Sequence, residues 1–356
     1  MHRLRLAALA LTVLILAGCS ANPLPAHQPS SPSSAARSSS SPRLPDPRSL
    51  SGVSEVADIA QPRPIEGNFS QKLPVTVKDY EGNMVKVSDT SRILALDING
   101  TLSRTIISLG LGKSIIGRSI SSTESSLAKL PVVTENGHQL NAEAIISLRP
   151  SVVLADRSVG PPEVLDQIRA AGIPLVLVSP DRKIHTTRDF ISTVAHALGV
   201  DEAGKALVQR TEKEIEAARE QIAQWKPRDP LNAAFLYVRG NAGVFFLLGS
   251  KDGATELIEG VGARDVTASA GITSVTPASA EALISVNPEV IFVMRDGLKS
   301  TGGIEGLMAR PGVAQTRAGQ KKRVISIPDG ISLSFGPQTG DILLAVARAM
   351  YGVPTP

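Results

Sequence analysis

The sequence predicts an α/β protein made of two similar lobes that are joined by one long helix. Short apolar strands alternate with helical patterns between residues 92 and 178, which is typical of a parallel sheet covered by helices. A pattern of 13 residues, EAIISLRPSVVLA from Glu143, returns as EALISVNPEVIFV from Glu281. Between the two copies lies a segment of 25 residues with helical periodicity. The repeat implies two related lobes, and the segment between the copies provides their connection.

The first 18 residues have the pattern of an export signal. Two arginines precede an apolar run from Leu6 to Ala17, which is shorter than the roughly 20 residues that cross a bilayer. The run ends in LAGC at Cys19, which resembles a bacterial lipobox. The resemblance implies that Cys19 is lipidated and anchors the protein at the extracytoplasmic face of the cell membrane. The alternative is an ordinary signal peptide followed by an incidental cysteine.

Two features of the composition constrain the chemistry of the mature chain. Cys19 is the only cysteine, so an intramolecular disulfide is excluded. Removal of the two signal arginines lowers the 37 basic residues to 35, against 33 acidic ones, and aromatic residues make up only 3% of the chain. A nucleic-acid surface requires a basic face, often with rings that stack on bases. We therefore expect no nucleic-acid partner.

Residues 19–66 are rich in serine, proline and alanine and contain few large apolar side chains. Such a segment cannot bury enough apolar surface to offset the entropy lost on ordering. The sequence therefore predicts a flexible tether that gives a membrane-anchored protein its reach. The remaining chain, about 290 residues, is long enough for two lobes.

The predicted N-terminal lobe covers residues 67–200. Residues 75–87 alternate between apolar and polar about a Glu-Gly-Asn turn, which predicts a hairpin. The following apolar runs predict strands at residues 92–97, 114–117, 151–155 and 174–178. The helical patterns between them fall at residues 102–109, 141–148 and 162–171.

Residues 201–226 are predicted to form the bridging helix. Asp201 is a suitable N-cap for this helix. The apolar positions that fall near one helical stripe are Leu207, Ile215, Ala218, Ile222 and Trp225. At 1.5 Å per residue the segment forms a helix of about 37 Å, which suits a stiff connection. The alternative is a helix that packs wholly within one lobe. The C-terminal lobe then covers residues 227–356 and begins with a strand at residues 232–240.

Lipobox, Ser/Pro-rich segment, hairpin, two lobes and long helix together resemble the substrate-binding lipoproteins of ABC importers for iron complexes, haem and cobalamin. The resemblance covers roughly residues 73–352. It implies two Rossmann-like lobes joined by a single long helix, with the ligand cleft between them. This agrees with the rule that open α/β sheets bind ligands beyond the carboxyl ends of their strands. It also implies that the partners are an ABC transporter permease and its ATPase.

Glu143 and Glu281 occupy equivalent positions of the repeat. In the resembled family one acid of each lobe docks onto arginines of the permease, so the resemblance assigns docking to these two residues. Negative charge at the start of a helix is also favourable by itself, by about 0.3–1 kcal/mol. A purely structural role is therefore the alternative.

Three residues suggest which ligand is carried. His138 precedes a predicted helix, whereas Tyr237 and Arg239 share one face near the carboxyl end of a strand. Tyrosine and histidine both occur as axial ligands of haem iron. The pattern resembles the haem-binding lipoproteins of Gram-positive haem-uptake systems. The resemblance implies that His138 and Tyr237 hold the iron of haem b from opposite lobes, and it leaves open whether cell-surface proteins donate the haem.

The remaining predicted residues surround this pair. Arg239 is expected to hydrogen-bond Tyr237 or to neutralise a haem propionate. Arg157 and Arg295 follow the two repeated strands at matched places and, with Arg118, are further candidates for the propionates. Asn99 begins an Asn-Gly-Thr segment and is expected to face the cleft. The alternative for His138 is a surface loop residue, and for Tyr237 a half-buried strand residue.

Other functions remain as alternatives. A ferric-siderophore or cobalamin binder of the same fold would offer arginines and aromatic rings, but the chain has only three tyrosines and one tryptophan. A zinc or manganese binder needs several converging histidine and acidic ligands. An exported enzyme is the remote alternative, because the sequence lacks the Gly-x-Ser-x-Gly, P-loop and His-Glu-x-x-His motifs. The sequence thus predicts a non-enzymatic haem-binding protein that serves iron acquisition.

Overall fold

The computed structural model describes residues 44–135, 138–240 and 243–355. The predicted export signal, Cys19 and the first part of the predicted tether lie outside these residues. None of the helices in the described ranges combines the length and the apolar character that a membrane crossing requires.

The described strands are, in chain order, β1 (Val53–Glu55), β2 (Val75–Lys78), β3 (Met84–Val87), β4 (Ile93–Leu96), β5 (Ile115–Arg118), β6 (Thr134–Glu135), β7 (Gln139–Leu140), β8 (Val152–Ala155), β9 (Leu175–Leu177), β10 (Asn232–Arg239), β11 (Val244–Leu247), β12 (Arg264–Asp265), β13 (Thr276–Pro277), β14 (Val290–Met294) and β15 (Val324–Ile327).

The described helices are α1 (Thr101–Ser108), α2 (Ala142–Ser147), α3 (Pro162–Ala170), α4 (Thr187–Ala197), α5 (Asp201–Trp225), α6 (Ala254–Gly260), α7 (Val266–Ser269), α8 (Ala280–Val286), α9 (Arg295–Ser300), α10 (Gly303–Met308), α11 (Arg317–Gln320) and α12 (Thr339–Tyr351).

The N-terminal lobe is built on a parallel sheet of order β5-β4-β8-β9. Every residue of β4, β8 and β9 is buried, because helices cover both faces of a parallel sheet and leave no polar side to the strand. The predicted hairpin is present as β2 and β3, which pair with each other in a separate sheet. The alternating strands and helices predicted for this lobe are confirmed.

The C-terminal lobe carries a larger sheet of order β1-β15-β14-β10-β11-β13, with β12 paired beside β10. Strands β1, β15, β14 and β10 are parallel, and β11 and β13 run antiparallel to their neighbours. Side chains of β10 alternate between two apolar clusters: Phe235 packs into one and Leu236 into the other. Both faces of this sheet are therefore filled.

Helix α5 connects the two lobes. Leu207 packs into the core of the N-terminal lobe, whereas Ala218 and Ile222 pack into the core of the C-terminal lobe. The bridging role and the length of the helix are as predicted. The predicted N-cap is wrong: Val200 occupies the cap position, and the carboxylate of Asp201 instead lies 3.0 Å from a ring nitrogen of His196.

The sequence repeat is also a structural repeat. Asn141 caps α2 and Ser279 caps α8, each side chain accepting a hydrogen bond from the backbone N–H three residues on, at 2.8 and 3.1 Å. Each helix is followed by a residue in the left-handed region, Arg149 with φ 47° and Asn287 with φ 39°. The two copies therefore share their caps and their exits into the next strand.

The predicted tether is wrong for its second part. Residues 53–55 form β1, which pairs in parallel with β15 at the edge of the C-terminal sheet. Val56 follows β1 and is fully buried in the core of that lobe. A strand of three residues hardly changes the average composition of the segment. Its stability comes from ladder hydrogen bonds and one buried side chain. The C-terminal lobe thus includes a segment that precedes the N-terminal lobe in the chain.

Candidate functional site

A cavity of about 950 Å³ lies between the two lobes, within the size range of small-molecule sites. Its walls come from loops that follow the carboxyl ends of strands in both sheets. The N-terminal lobe contributes Asn99, Ile120 and His138, and the C-terminal lobe contributes Tyr237 and Arg239 among others. Asn99, which was expected to face the cleft, is among the residues that line this cavity. Apolar side chains from both lobes supply much of the remaining wall, among them Ile98, Phe246, Leu248, Val275, Met294 and Leu333.

Tyr237 and Arg239 stand on the same face of β10, as the alternation of strand side chains requires. The guanidinium carbon of Arg239 lies 5.0 Å from the centroid of the Tyr237 ring. Tyr237 lines the cavity and also packs against the core of the C-terminal lobe. The ring therefore lies between that core and the cavity, with a cation beside it.

Asp329 holds Arg239 in place. Nη2 of Arg239 donates to Oδ1 of Asp329 at 2.6 Å. The other carboxylate oxygen accepts the backbone N–H of Asp296 at 2.8 Å. Asp329 lies in a 3-10 turn just after β15, so it reaches Arg239 only through the pairing of β15, β14 and β10. Sequence reasoning missed Asp329, and the only available signal was its place beyond a buried strand.

His138 lies in the turn between β6 and β7 and lines the cavity from the N-terminal lobe, whereas Tyr237 lines it from the C-terminal lobe. Its backbone carbonyl accepts the N–H of Gly160 at 3.2 Å, which attaches the turn to the segment after β8. Loss of water around the ring, followed by the positive charge of Arg239 from the other lobe, lowers the pKa of His138. The neutral imidazole, which is the form that binds a metal, is thereby favoured.

Three predicted propionate partners are engaged elsewhere and do not line the cavity. Arg157 pairs with Glu81 in the turn of the β2–β3 hairpin. Arg295 pairs with Glu55 at 3.0 Å and with Asp58 at 3.1 Å, beside β1. Both residues follow matched strands of the repeat, but each side chain forms ion pairs with carboxylates outside the cavity.

Arg118, the third of these arginines, is half-buried. Its Nη1 donates to the backbone carbonyls of Ser119 and Ser122, each at 3.4 Å. Lys251 provides a cation that the sequence reasoning did not name. It lines the cavity, and in the described part of the chain its ammonium group has no ion-pair partner.

A buried charged cluster supports the N-terminal wall. Nη2 of Arg182 lies 2.6 Å from Oδ2 of Asp156, and its guanidinium stands over the ring of Phe190 at 4.0 Å. Asp97 accepts the N–H of Thr101, the first residue of α1, at 2.8 Å. Burial, and then repulsion by Asp156, raise the pKa of Asp97 to about 7. Arg182 lines the cavity, but its charge is already neutralised by Asp156.

No group of three or more histidine, cysteine or acidic side chains within residues 44–135, 138–240 and 243–355 is arranged to hold a metal ion.

Known proteins are similar to this chain in both sequence and fold. A family described as "Periplasmic binding protein" matches residues 98–330. The chain is 51% identical to the haem-binding protein HmuT, with a TM-score of 0.84 over 86% of this chain and 99% of that one. It is 36% identical to the periplasmic haem-binding protein RhuT from Roseiflexus sp. RS-1 in its apo form, with a TM-score of 0.69 over 74% and 99% of the chains.

The periplasmic haem-binding protein BhuT in complex with two haems is 28% identical, with a TM-score of 0.65 over 73% of this chain and 98% of that one. Three further HmuT structures each carry one alanine substitution, which replaces a histidine in the first, an arginine in the second and a tyrosine in the third. Those positions are separated along HmuT as His138, Tyr237 and Arg239 are separated here. Curated protein sequences give no significant match.

The matched family consists of ligand-binding components of transporters, which are not enzymes. The two lobes, the connecting helix and the cavity between the lobes all agree with that architecture. The family match covers more than half of the chain, and HmuT and RhuT match it along nearly their whole length. The chain belongs to the periplasmic binding protein family.

Proposed function

We propose that this protein binds haem between its lobes and delivers it to the permease of an ABC importer. The observation that carries the proposal is that His138 and Tyr237, one from each lobe, line the same cavity. The similarity to HmuT, RhuT and BhuT supports haem as the cargo, since each of them is a haem-binding protein. The equal spacing of the three residues altered in HmuT supports the same site here.

The two proposed ligands differ in what they supply to ferric haem. Tyr237 binds as phenolate, and ferric iron itself stabilises that anion. The cation of Arg239 lies beside the ring, 5.0 Å from its centroid. His138 binds as neutral imidazole, the form that its lowered pKa favours. The phenolate also offsets ferric charge, so Tyr237 is the stronger ligand.

Lys251 is the proposed partner of a haem propionate. Its ammonium group is the cation at the cavity wall that no described carboxylate neutralises, whereas Arg239 is paired with Asp329 and Arg182 with Asp156. Its four-carbon stem allows it to follow a propionate at the solvent edge of the porphyrin. Arg239 then acts mainly on Tyr237.

The proposal also covers where the protein lies and which partner it contacts. Lipidation of Cys19 anchors the protein to the extracytoplasmic face of the cell membrane, where the importer lies. Glu143 and Glu281 dock onto basic residues of the permease. Both carboxylates are exposed in the first turn of matched helices, and neither has an ion-pair partner in the described residues.

An absorption titration with haemin tests the ligand and the site together. We expect a saturable Soret band for the parent protein. Replacement Tyr237→Phe should weaken binding by about tenfold or more, which corresponds to ~1.4 kcal/mol. His138→Ala should weaken it less. Tyr80→Phe and His196→Ala are matched controls, because both residues are exposed away from the cavity.

The same titration separates the proposal from its competitors. A protein that left the spectrum of free haemin unchanged would not be a haem carrier, and a siderophore or cobalamin binder would behave in this way. Parent-like spectra for both ligand variants would show that haem binds at another place.

A further inference from the structure

The two repeated helices present the same pair of side chains to solvent. Glu143 of α2 and Glu281 of α8 are exposed in the first turn. Three residues later stand Ile146, which is 37% exposed, and Ile284, which is 52% exposed. Residues three apart share one face of a helix, so each acid has an isoleucine beside it. A single exposed isoleucine needs no explanation, but its recurrence at the matched position of the other lobe does.

Nothing inside the described chain accounts for these pairs. The repeat keeps a buried residue between the exposed ones, Ile145 in α2 and Leu283 in α8, so each helix already has its core contact. The exposed isoleucines extend the apolar character to the solvent face. The carboxylates beside them have no ion-pair partner among the described residues. Each lobe therefore carries a small surface that combines one free negative charge with one apolar side chain.

Both surfaces lie close to the rim of the cavity. His138 lines the cavity five residues before Glu143, and Val275 lines it six residues before Glu281. At about 3.5 Å per residue, such segments reach at most roughly 20 Å. A partner that contacts both helices would therefore lie within roughly 20 Å of cavity-lining residues of each lobe.

We propose that Ile146 and Ile284 form the apolar half of a two-point docking surface for the permease. Each isoleucine packs against an apolar side chain of one of two equivalent permease subunits, next to the basic residue that meets Glu143 or Glu281. The inference rests on the proposed function, because the importer is the partner. It adds that docking is apolar as well as ionic, and that the two lobes contribute alike.

The matched pairs favour this occupant over others. Two equivalent surfaces on one chain fit a partner that itself presents two equivalent sites, as a symmetric dimer does. The negative charges fit a basic partner. An apolar contact beside a charged one is also common in protein interfaces, which combine apolar and polar side chains.

The test uses the haem-loaded protein and the importer reconstituted in liposomes, with stimulation of ATP hydrolysis measured against the concentration of binding protein. The variants are Ile146→Gln, Ile284→Gln and the double variant. Met84→Gln is the matched control, because Met84 is 66% exposed on the β2–β3 hairpin. Glutamine suits a helix and removes the apolar surface without adding charge.

We expect each single variant to raise the half-saturating concentration about fivefold, from the apolar surface that it removes. The double variant should multiply the two effects, because the sites lie on different lobes. Haemin affinity should be unchanged in all variants, and Met84→Gln should match the parent in both assays.

The inference would be overturned if the isoleucine variants and Met84→Gln had equal half-saturating concentrations, or if only one lobe showed an effect. It would also be overturned if light scattering showed that the parent protein is a dimer and that the isoleucine variants are not. The last would assign the surface to a second copy of this chain. A parent that fails to bind haemin would instead overturn the proposed function. The haemin titration of the same samples distinguishes these failures.

Discussion

Arg239 contacts both Tyr237 and Asp329, and its charge also reaches His138 across the cavity. The ion pair with Asp329 fixes the guanidinium before any ligand arrives, so little side-chain entropy is lost on binding. The same ion pair weakens the field that Arg239 exerts on its surroundings. Asp329 is thus a positioning residue that sets how strongly Arg239 acts on the two proposed iron ligands.

The pKa of the His138 ring reports this coupling in the haem-free protein. Arg239→Met should raise it, because a positive charge is removed, although desolvation of the ring keeps it below its ordinary value of about 6.5. Asp329→Asn should lower it further, because the charge of Arg239 is no longer balanced. An NMR titration of the ring protons measures all three proteins. Identical pKa values in the three would show that the two lobes are not coupled electrostatically.

Haem ligation should depend on pH with a defined sign. His138 must lose its proton to bind iron, so ligation holds at neutral and higher pH and is lost when acid protonates the ring. The lowered pKa of the ring and its bond to iron both move that loss to lower pH, so the spectrum of the haemin complex should stay constant from about pH 8 to about pH 7. Further acid should convert it towards the spectrum of His138→Ala, while that variant shows no transition of its own. If the parent spectrum showed no such transition, His138 would not be a ligand of the iron.

Sequence reasoning could identify His138, Tyr237 and Arg239, because strand alternation and the family resemblance determine them locally. It could not identify Asp329 or Lys251, whose relation to the cavity depends on the order of strands in the C-terminal sheet and on loops distant in sequence. Arg157 and Arg295 show the converse error. The repeat fixes where a backbone lies, but the nearest carboxylate decides where an arginine points.

At the scale of elements, strongly periodic segments were predictable and short ones were not. The predicted bridging helix, residues 201–226, differs from the observed Asp201–Trp225 by one residue, since 25 residues of one periodicity leave little ambiguity. Strand β1 has three residues and lies in a segment whose average composition is that of a tether. Its stability comes from pairing with β15, which is more than 250 residues away in the chain. Such a contact is absent from any local pattern.

Shortening the chain tests the role of β1. A protein that begins at Gly67 should be less stable than one that begins at Leu44, by about 3 kcal/mol or more, because it loses the β1 ladder and the buried Val56. Urea unfolding of both proteins measures this difference. Val56→Ala in the longer protein should account for about 1–3 kcal/mol of it. If the two proteins unfolded at the same urea concentration, residues 44–66 would contribute nothing to stability and would act as a tether.

At the scale of the whole molecule, several contacts join the lobes in addition to α5. Arg104 of α1 forms a buried ion pair with Glu124, 3.0 Å from Nε to the carboxylate. Its other nitrogens donate across the lobes to Gln338 at 3.0 Å and to the carbonyl of Gly330 at 3.1 Å. Domains linked by one flexible segment would lack such contacts. The lobes should therefore move little relative to each other.

Small-angle scattering with and without haemin measures this stiffness. We expect the radius of gyration to change by less than about 1 Å, because closing the lobes would break the buried contacts of Arg104. Arg104→Met removes those contacts and leaves Glu124 buried without its partner, so this variant should be less stable and should show a larger change. A large closure in the parent would contradict the rigid arrangement.

The central claim is that haem is held from both lobes at once, by the imidazole of His138 and the phenolate of Tyr237. A crystal structure of the protein with haemin tests it most directly. The account predicts an iron atom in the interlobe cavity, with a bond to a ring nitrogen of His138 on one face of the porphyrin and a bond to the oxygen of Tyr237 on the other. Haem bound outside this cavity, or an iron atom bonded to neither residue, would contradict it.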